Sequence, residues 1–268
     1  MAQSPKSRPK KKGLTKADVV RKGKQLSNWG KWGRNDELGV LNYIKPQDIV
    51  DAAKLIKKGK VFRLGLELDE NGPQNGLFGG RWNPLHHMMA TGTDAAAGNQ
   101  DKTVGLRYAD DFINLPTQCA SQWDALSHVF AGDKMWNGYS ATLVDSTGAH
   151  KNGIEKFAGK MVGRGVLLDV ARYKKKDRLA DGYGITINDL NRTAKSQGVK
   201  IKRGDFVIIN TGQMADCLDR VAKIGKEGWG GYGGGDAPGL AFETVDWIHE
   251  KEIAGICSDT WGIEVRPN

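Results

Sequence analysis

No stretch of the 268-residue sequence holds the roughly 18 consecutive apolar residues that a membrane span needs, so no membrane function is expected. Cysteine is scarce. Cys119, Cys217 and Cys257 are odd in number, widely spaced and without a Cys-x-x-Cys pair, which excludes a disulfide framework and a zinc ribbon and leaves reduced, small core residues. Aromatic residues are absent from residues 1–24, where nine Lys and Arg stand against the single acid Asp18; nearly all of the net charge of +9 lies there. A base-reading surface needs aromatic or Arg interleaving, so residues 1–27 are expected to be a basic, disordered tail with no nucleic-acid partner. The first basic residues are not followed by an apolar stretch, so no secretory leader is expected and the default location is cytoplasmic. What is present, 39% hydrophobic and 26% charged residues, is the composition of one globular domain, placed at residues 28–268.

Along that domain the apolar pattern changes period. Ile49, Val50, Ala53 and Ile56 recur at helical steps between Pro46 and Lys58, before Gly59. Val61 to Leu68 alternates apolar and polar residues as a half-buried strand does, and a long Gly- and Asn-rich loop is expected from there to about residue 103. Gly165–Val170, Asp205–Asn210 and Ile253–Cys257 are short, continuous apolar runs of the buried-strand kind. Between them, Thr186 and Asp189 form a capping box that opens a helix to Gln197, and Phe242 to Glu250 reads as another helix. Strands alternating with helices predict an α/β fold, a mixed β-sheet core flanked by helices. The glycine-dense stretch Gly228–Gly239 has no Gly-Lys-Ser/Thr and does not pass from a strand into a helix, so it reads as a mobile loop able to line a site rather than a phosphate cradle.

The chemistry-bearing stretch is Gln118-Cys119-Ala120-Ser121-Gln122-Trp123-Asp124-Ala125-Leu126-Ser127-His128. Asp124 and His128, with polar residues two and six positions before Asp124, converge on one ion if the segment turns sharply; the spacing alone far more often describes a surface pair or a helix cap. His86 and His87 are weaker metal candidates, since adjacent residues rarely both point inward. Trp82, Trp123 and Trp261 are candidate walls of an aromatic-substrate pocket, with core packing as the alternative.

Position by position, residues 118–128 resemble the signature His-x-Gly-Thr-His-x-Asp-x-Pro-x-His of the metal-dependent cyclase and kynurenine formamidase family, with Gln118 and Gln122 where the first two histidines stand. The branch with Gln-Trp-Asp-x-Leu-x-His is the nearest likeness. Met135–Gly138, Gly163–Asp169, Pro238–Leu240 and Ser258–Pro267 are similar to the family as well. The resemblance implies a swivelling β/β/α-type cyclase or formamidase domain. It also implies a hydrolase that cleaves an amide or lactam C–N bond of a small, aromatic substrate with zinc or manganese, in a homodimer or homotetramer. Catalytic roles would fall to Gln122, Asp124 and His128, metal ligation to Asp124 and His128 with Gln118 and Gln122, and substrate binding to Trp82, Trp123, Gln118 and Trp261. Because an amide oxygen is a weaker ligand than imidazole, the two glutamines leave a non-catalytic, ligand-binding relative as the rival reading. The family further implies a segment beyond Pro267 with a histidine and a glutamate of the metal shell, so weak metal binding and poor turnover are expected of this chain.

Overall fold

In the computed structural model, residues 13–102 and 105–267 are described. In chain order these comprise α1 (Lys16–Gln25), α2 (Pro46–Ala53), β1 (Leu85–Ala90), α3 (Gly92–Ala96), β2 (Asp110–Asn114), β3 (Val144–Asp145), β4 (Gly148–Ala149) and β5 (Gly165–Asp169). They continue with α4 (Val170–Tyr173), β6 (Gly184–Ile185), α5 (Ile187–Ser196), β7 (Phe206–Asn210), α6 (Gln213–Ile224), β8 (Gly239–Leu240), α7 (Thr244–Lys251) and β9 (Gly255–Ser258).

The centre is a parallel sheet in the order β5-β7-β9, with Val166 beside Val207 and Val207 beside Ile256. The expected α/β class holds, because the apolar runs are long enough for strands and too short for helices. Val166 and Leu168 of β5 and Val207 and Ile209 of β7 point to one face, where Leu190 and Ala194 of α5 and Trp247 of α7 complete the core. A ring such as Trp247 buries about 150–250 Å², worth about 4–6 kcal/mol at 25 cal/mol per Å². The opposite face is only partly covered, since Leu167 is 48% exposed. The continuous apolar runs suggested burial on both faces, and the described residues provide it on one.

Local chemistry positions the helices. Thr186 accepts the Asp189 N–H at 3.1 Å while the Asp189 carboxylate accepts the Thr186 N–H at 3.1 Å, as the capping box predicts. That carboxylate also meets the Tyr183 hydroxyl and the Lys174 ammonium. Burial works against its charge, but the Lys174 contact and the capping bonds outweigh it and hold the carboxyl below its ordinary range. At the other end of the sheet, Asp259 follows β9 and accepts the Thr211 N–H at 2.7 Å and hydroxyl at 2.8 Å and the Met214 N–H at 3.4 Å, so it ties the sheet to the first turn of α6.

Five expectations are corrected. Residues 16–25 form α1 rather than a disordered tail, because Thr15 and Asp18 make a capping box that satisfies the first turn; residues 1–12 lie outside the described residues. Helix α2 ends at Ala53, and Ile56 is 74% exposed. Residues 61–68 are not a strand: their alternation is real but they pair with no neighbouring strand among the described residues. The supposed loop to residue 103 contains β1, which pairs antiparallel with β2, and α3. The glycine-dense stretch is packed rather than a mobile loop. Trp229 and Tyr232 are buried beside Cys217, and a Cβ at Gly228 would stand 2.2 Å from the Val221 nitrogen, so glycine is required for that approach.

Candidate functional site

The site loop follows β2. The N–H of Cys119 turns back to the Pro116 carbonyl at 2.9 Å, and that of His128 to the Ala125 carbonyl at 3.0 Å, with an extended stretch between. In extended chain successive side chains alternate in direction. Trp123 points inward, edge-on to Phe206 at 5.9 Å between ring centroids, and its ring lies over Gly255 so closely that a Cβ there would sit 2.5 Å from it. Leu126 packs into the same apolar cluster, with Leu41, Phe157 and Ala254, and Ser127 is buried. Gln122, Asp124 and His128 are consequently left exposed at the surface. The loop is held from its other side by the Ser121 hydroxyl, which accepts the Leu66 N–H at 3.0 Å, and by Gln74, which donates to the Cys119 carbonyl at 2.9 Å.

Electrostatically the motif is unoccupied by the rest of the chain. Among the described residues the side chains of Gln118, Gln122, Asp124 and His128 make no hydrogen bond and no ion pair. Asp124 supplies one negative charge, His128 one ring nitrogen and the glutamines neutral amide oxygens. These are metal donors in kind; in number they fall short, because no group of three or more His, Cys, Asp or Glu is placed to hold an ion among the described residues.

The remaining predicted residues divide. His86 and His87 lie on β1 rather than in a loop and point to opposite faces: His86 Nε2 meets Asp111 at 2.6 Å across the hairpin, while His87 stacks against Phe112 at 5.4 Å. Their partners are on β2, and among the described residues no hydrogen bond or ion pair joins them to Asp124 or His128. Trp123 is a support beneath the loop, not a pocket wall. Trp261 packs edge-on against Phe78 at 4.6 Å, under the Arg266 guanidinium at 4.9 Å, and joins the cluster that includes Leu66. Trp82 is 49% exposed. Cys119 is buried and burial raises its thiol pKa, so it packs rather than reacts. A cavity of about 280 Å³ between Leu26, Tyr43, Val245, Ile248 and Ile256 is lined by none of the predicted site residues. Ser121 and Gly255 are the two positioning residues that sequence reasoning passed over. Ser121 lies within the motif itself, whereas nothing near Gly255 in the sequence marks it.

The family described as "Putative cyclase" matches residues 46–265, most of the chain and the whole of the site loop. The chain belongs to the cyclase family. A solved structure of a novel cyclase is 38% identical over 90% of this chain and 79% of its own, with a TM-score of 0.80. Isatin hydrolase A from Ralstonia solanacearum is similar at 17% identity over 82% of this chain and 75% of its own, with a TM-score of 0.50, a likeness of fold. Isatin hydrolase A from Labrenzia aggregata, bound to benzyl benzoate, reaches 19% identity over 75% and 67%, with a TM-score of 0.48. No curated protein matches the chain. The cyclase-family α/β fold thus agrees with the family likeness. No helix among the described residues is long and apolar enough to cross a membrane.

Proposed function

We propose that the chain is a hydrolase of an amide or lactam C–N bond in a small aromatic compound, arylformamidase-like, working with a divalent ion such as zinc or manganese at Asp124 and His128. The observation that carries this reading is the presentation of Gln122, Asp124 and His128 on one exposed loop, with no hydrogen bond or ion pair to their side chains among the described residues, at the family spacing. Unpaired donors fixed by a rigid base are what a ligand site requires, and here Trp123 and Leu126 supply the base. Asp124 is the anchor, since only a carboxylate offsets the charge of the ion, and His128 adds a ring nitrogen. The ion, when bound, supplies hydroxide near neutral pH and polarises the carbonyl under attack. Gln122, on the same side of the extended stretch as Asp124, would donate its amide N–H to the substrate carbonyl and orient it. Isatin hydrolase A from Ralstonia solanacearum, a neighbour in fold, suggests a lactam as one substrate class.

The short donor set favours one second reading, a relative that binds a metal or small ligand and turns over little. Both are tested by loading the purified chain with zinc or manganese, removing free ion, and measuring bound metal together with hydrolysis of N-formylkynurenine and isatin. The hydrolase reading expects activity that depends on the added ion. Asp124→Ala is expected to remove both metal and activity, and Gln122→Ala to lower the rate more than the metal content. Equal metal in wild type and Asp124→Ala would sink the site assignment, and bound metal without hydrolysis would establish the second reading. From two strong ligands, an affinity weaker than that of a four-ligand structural site is expected.

A further inference from the structure

The half-buried arginines of this chain face acids, with two exceptions. Among the described residues Arg164 meets Asp205, and Arg178 and Arg220 both meet Asp216. Arg81 and Arg266 are also half-buried and have no carboxylate partner there, and the Arg81 guanidinium makes no hydrogen bond either. Both sit on one pair of rings. Arg81 lies over Phe78 at 5.0 Å and Arg266 over Trp261 at 4.9 Å, and the Phe78 and Trp261 centroids are 4.6 Å apart. Arg266 is held in place by its bond to the Gly234 carbonyl at 3.1 Å. Taking a cation part-way out of water without a counter-charge is costly, and a ring face returns only part of that cost.

Arg81 is carried by a closed loop that leans on the site loop. Asn83 Oδ1 accepts the Gln74 N–H at 2.8 Å, and the Asn83 amide donates to the Gln74 carbonyl at 3.1 Å, so residues 74–83 leave and return at one point as an Ω-loop does. From that neck the Gln74 side chain donates to the Cys119 carbonyl at 2.9 Å, which ties the loop to residues 118–128. Gly79 and Gly80, at φ of 61° and 65°, turn the chain so that the Arg81 N–H reaches the Phe78 carbonyl at 3.3 Å and the guanidinium falls over the ring. Burial raises the Cys119 thiol and the Arg81 charge opposes that rise, which places the cation close to the site loop. Phe78 remains 43% exposed. An open ring and an unpaired fork of N–H donors therefore stand beside the Gln118 end of the motif.

The geometry points to Arg81 as the residue that reads a carboxylate on the aromatic substrate, with Phe78 in contact with the substrate ring. A guanidinium stacked on a ring is already oriented, keeps its N–H edge free, and meets a carboxylate through two parallel hydrogen bonds. The substrate class narrows accordingly, from small aromatic amides to aromatic amides that bear an acid group. The amide part of this rests on the hydrolase reading, whereas the carboxylate contact is a matter of binding and is measured without turnover.

The test is equilibrium binding of 2-formamidobenzoate and of its neutral methyl ester to the purified full chain, by calorimetry before any ion is added, with far-UV circular dichroism as a control on folding. The acid is expected to bind about tenfold more tightly than the ester. Arg81→Gln is expected to weaken the acid about tenfold and leave the ester unchanged, which removes the preference; Arg81→Lys, which keeps the charge without the fork, is expected to retain part of it. Arg34→Gln, at an exposed arginine, is expected to alter neither. Equal binding of acid and ester by wild type would overturn the inference. So would a preference that survives Arg81→Gln, or no binding of either compound at millimolar concentration. An intact preference together with no ion-dependent hydrolysis would uphold the Arg81 contact and count against the hydrolase reading alone.

Discussion

Residues 165–258 and residues 55–130 are comparably supplied with apolar side chains, yet they are used differently. In the first region Leu168, Ile185, Leu190 and Val207 are wholly buried; in the second Val61 is 91% exposed, Leu64 74% and Val129 73%. Strands β5, β7 and β9 find each other and the helices between them, whereas β1 and β2 form a two-stranded hairpin with little over either face. A hairpin of two strands is marginal without a packed face. An alternating pattern therefore says that a surface is meant to be covered, and leaves open whether the cover comes from the same chain.

The contrast can be broken most sharply at Trp247. Replacing it by alanine should cost about 3–5 kcal/mol, read as a lower urea midpoint, because the sheet, α5 and α7 all rest on that ring. Asp189→Ala should cost about 2–4 kcal/mol, since it strips the cap of α5 and leaves the Lys174 and Tyr183 groups without their acceptor. The same carboxylate sharpens the pH response. Its folded pKa lies below its ordinary 3.8, so its contribution is fully present above that value and is lost as pH falls through the lower, folded one. Acid titration of wild type should show this loss below about pH 4, and Asp189→Ala should lack it.

Gly255→Ala should cost about 1–3 kcal/mol by driving a methyl into the Trp123 ring. A change in the near-UV dichroism of that tryptophan would accompany it, and an unaltered band with full stability would contradict the close approach. In the exposed region the effects should nearly vanish: Val129→Ser is expected to change monomer stability by less than about 0.5 kcal/mol. The smallest response belongs to α1. The Thr15 hydroxyl and N–H hold Asp18 down to about 2, so the first turn should fray only as pH drops from about 4 towards 2, seen as a minor loss of helical signal.

What the sequence disclosed follows the same division. The three buried strands, the capping box of α5 and the helix before β9 were legible because each is decided by neighbours in sequence or by a short apolar run. The loop at residues 118–128 stood out by residue types and spacing; the exposure of Gln122 and Asp124 follows from alternation about Trp123, and that of His128 from the turn back to Ala125. The β1–β2 hairpin was not legible: His86 and His87 read as loop because their partners, Asp111 and Phe112, lie across the hairpin on β2. The strand expected at 61–68 failed for the reverse reason, its local pattern being sound while no strand among the described residues pairs with it. Helix α1 was missed because the charge of residues 1–24 was averaged, which concealed the Thr15 and Asp18 pair that starts it.

The seating of Trp123 over Gly255 also fixes an order of events. A chain made from its N-terminus exposes residues 118–128 long before it exposes β9, and β9 is one wall of the groove in which the Trp123 ring lies. Until β9 has been synthesised and has docked beside β7, the loop that carries Gln122, Asp124 and His128 lacks the Gly255 side of the groove that seats Trp123. A nascent chain thus displays residues 118–128 before the seat of the Trp123 ring is complete.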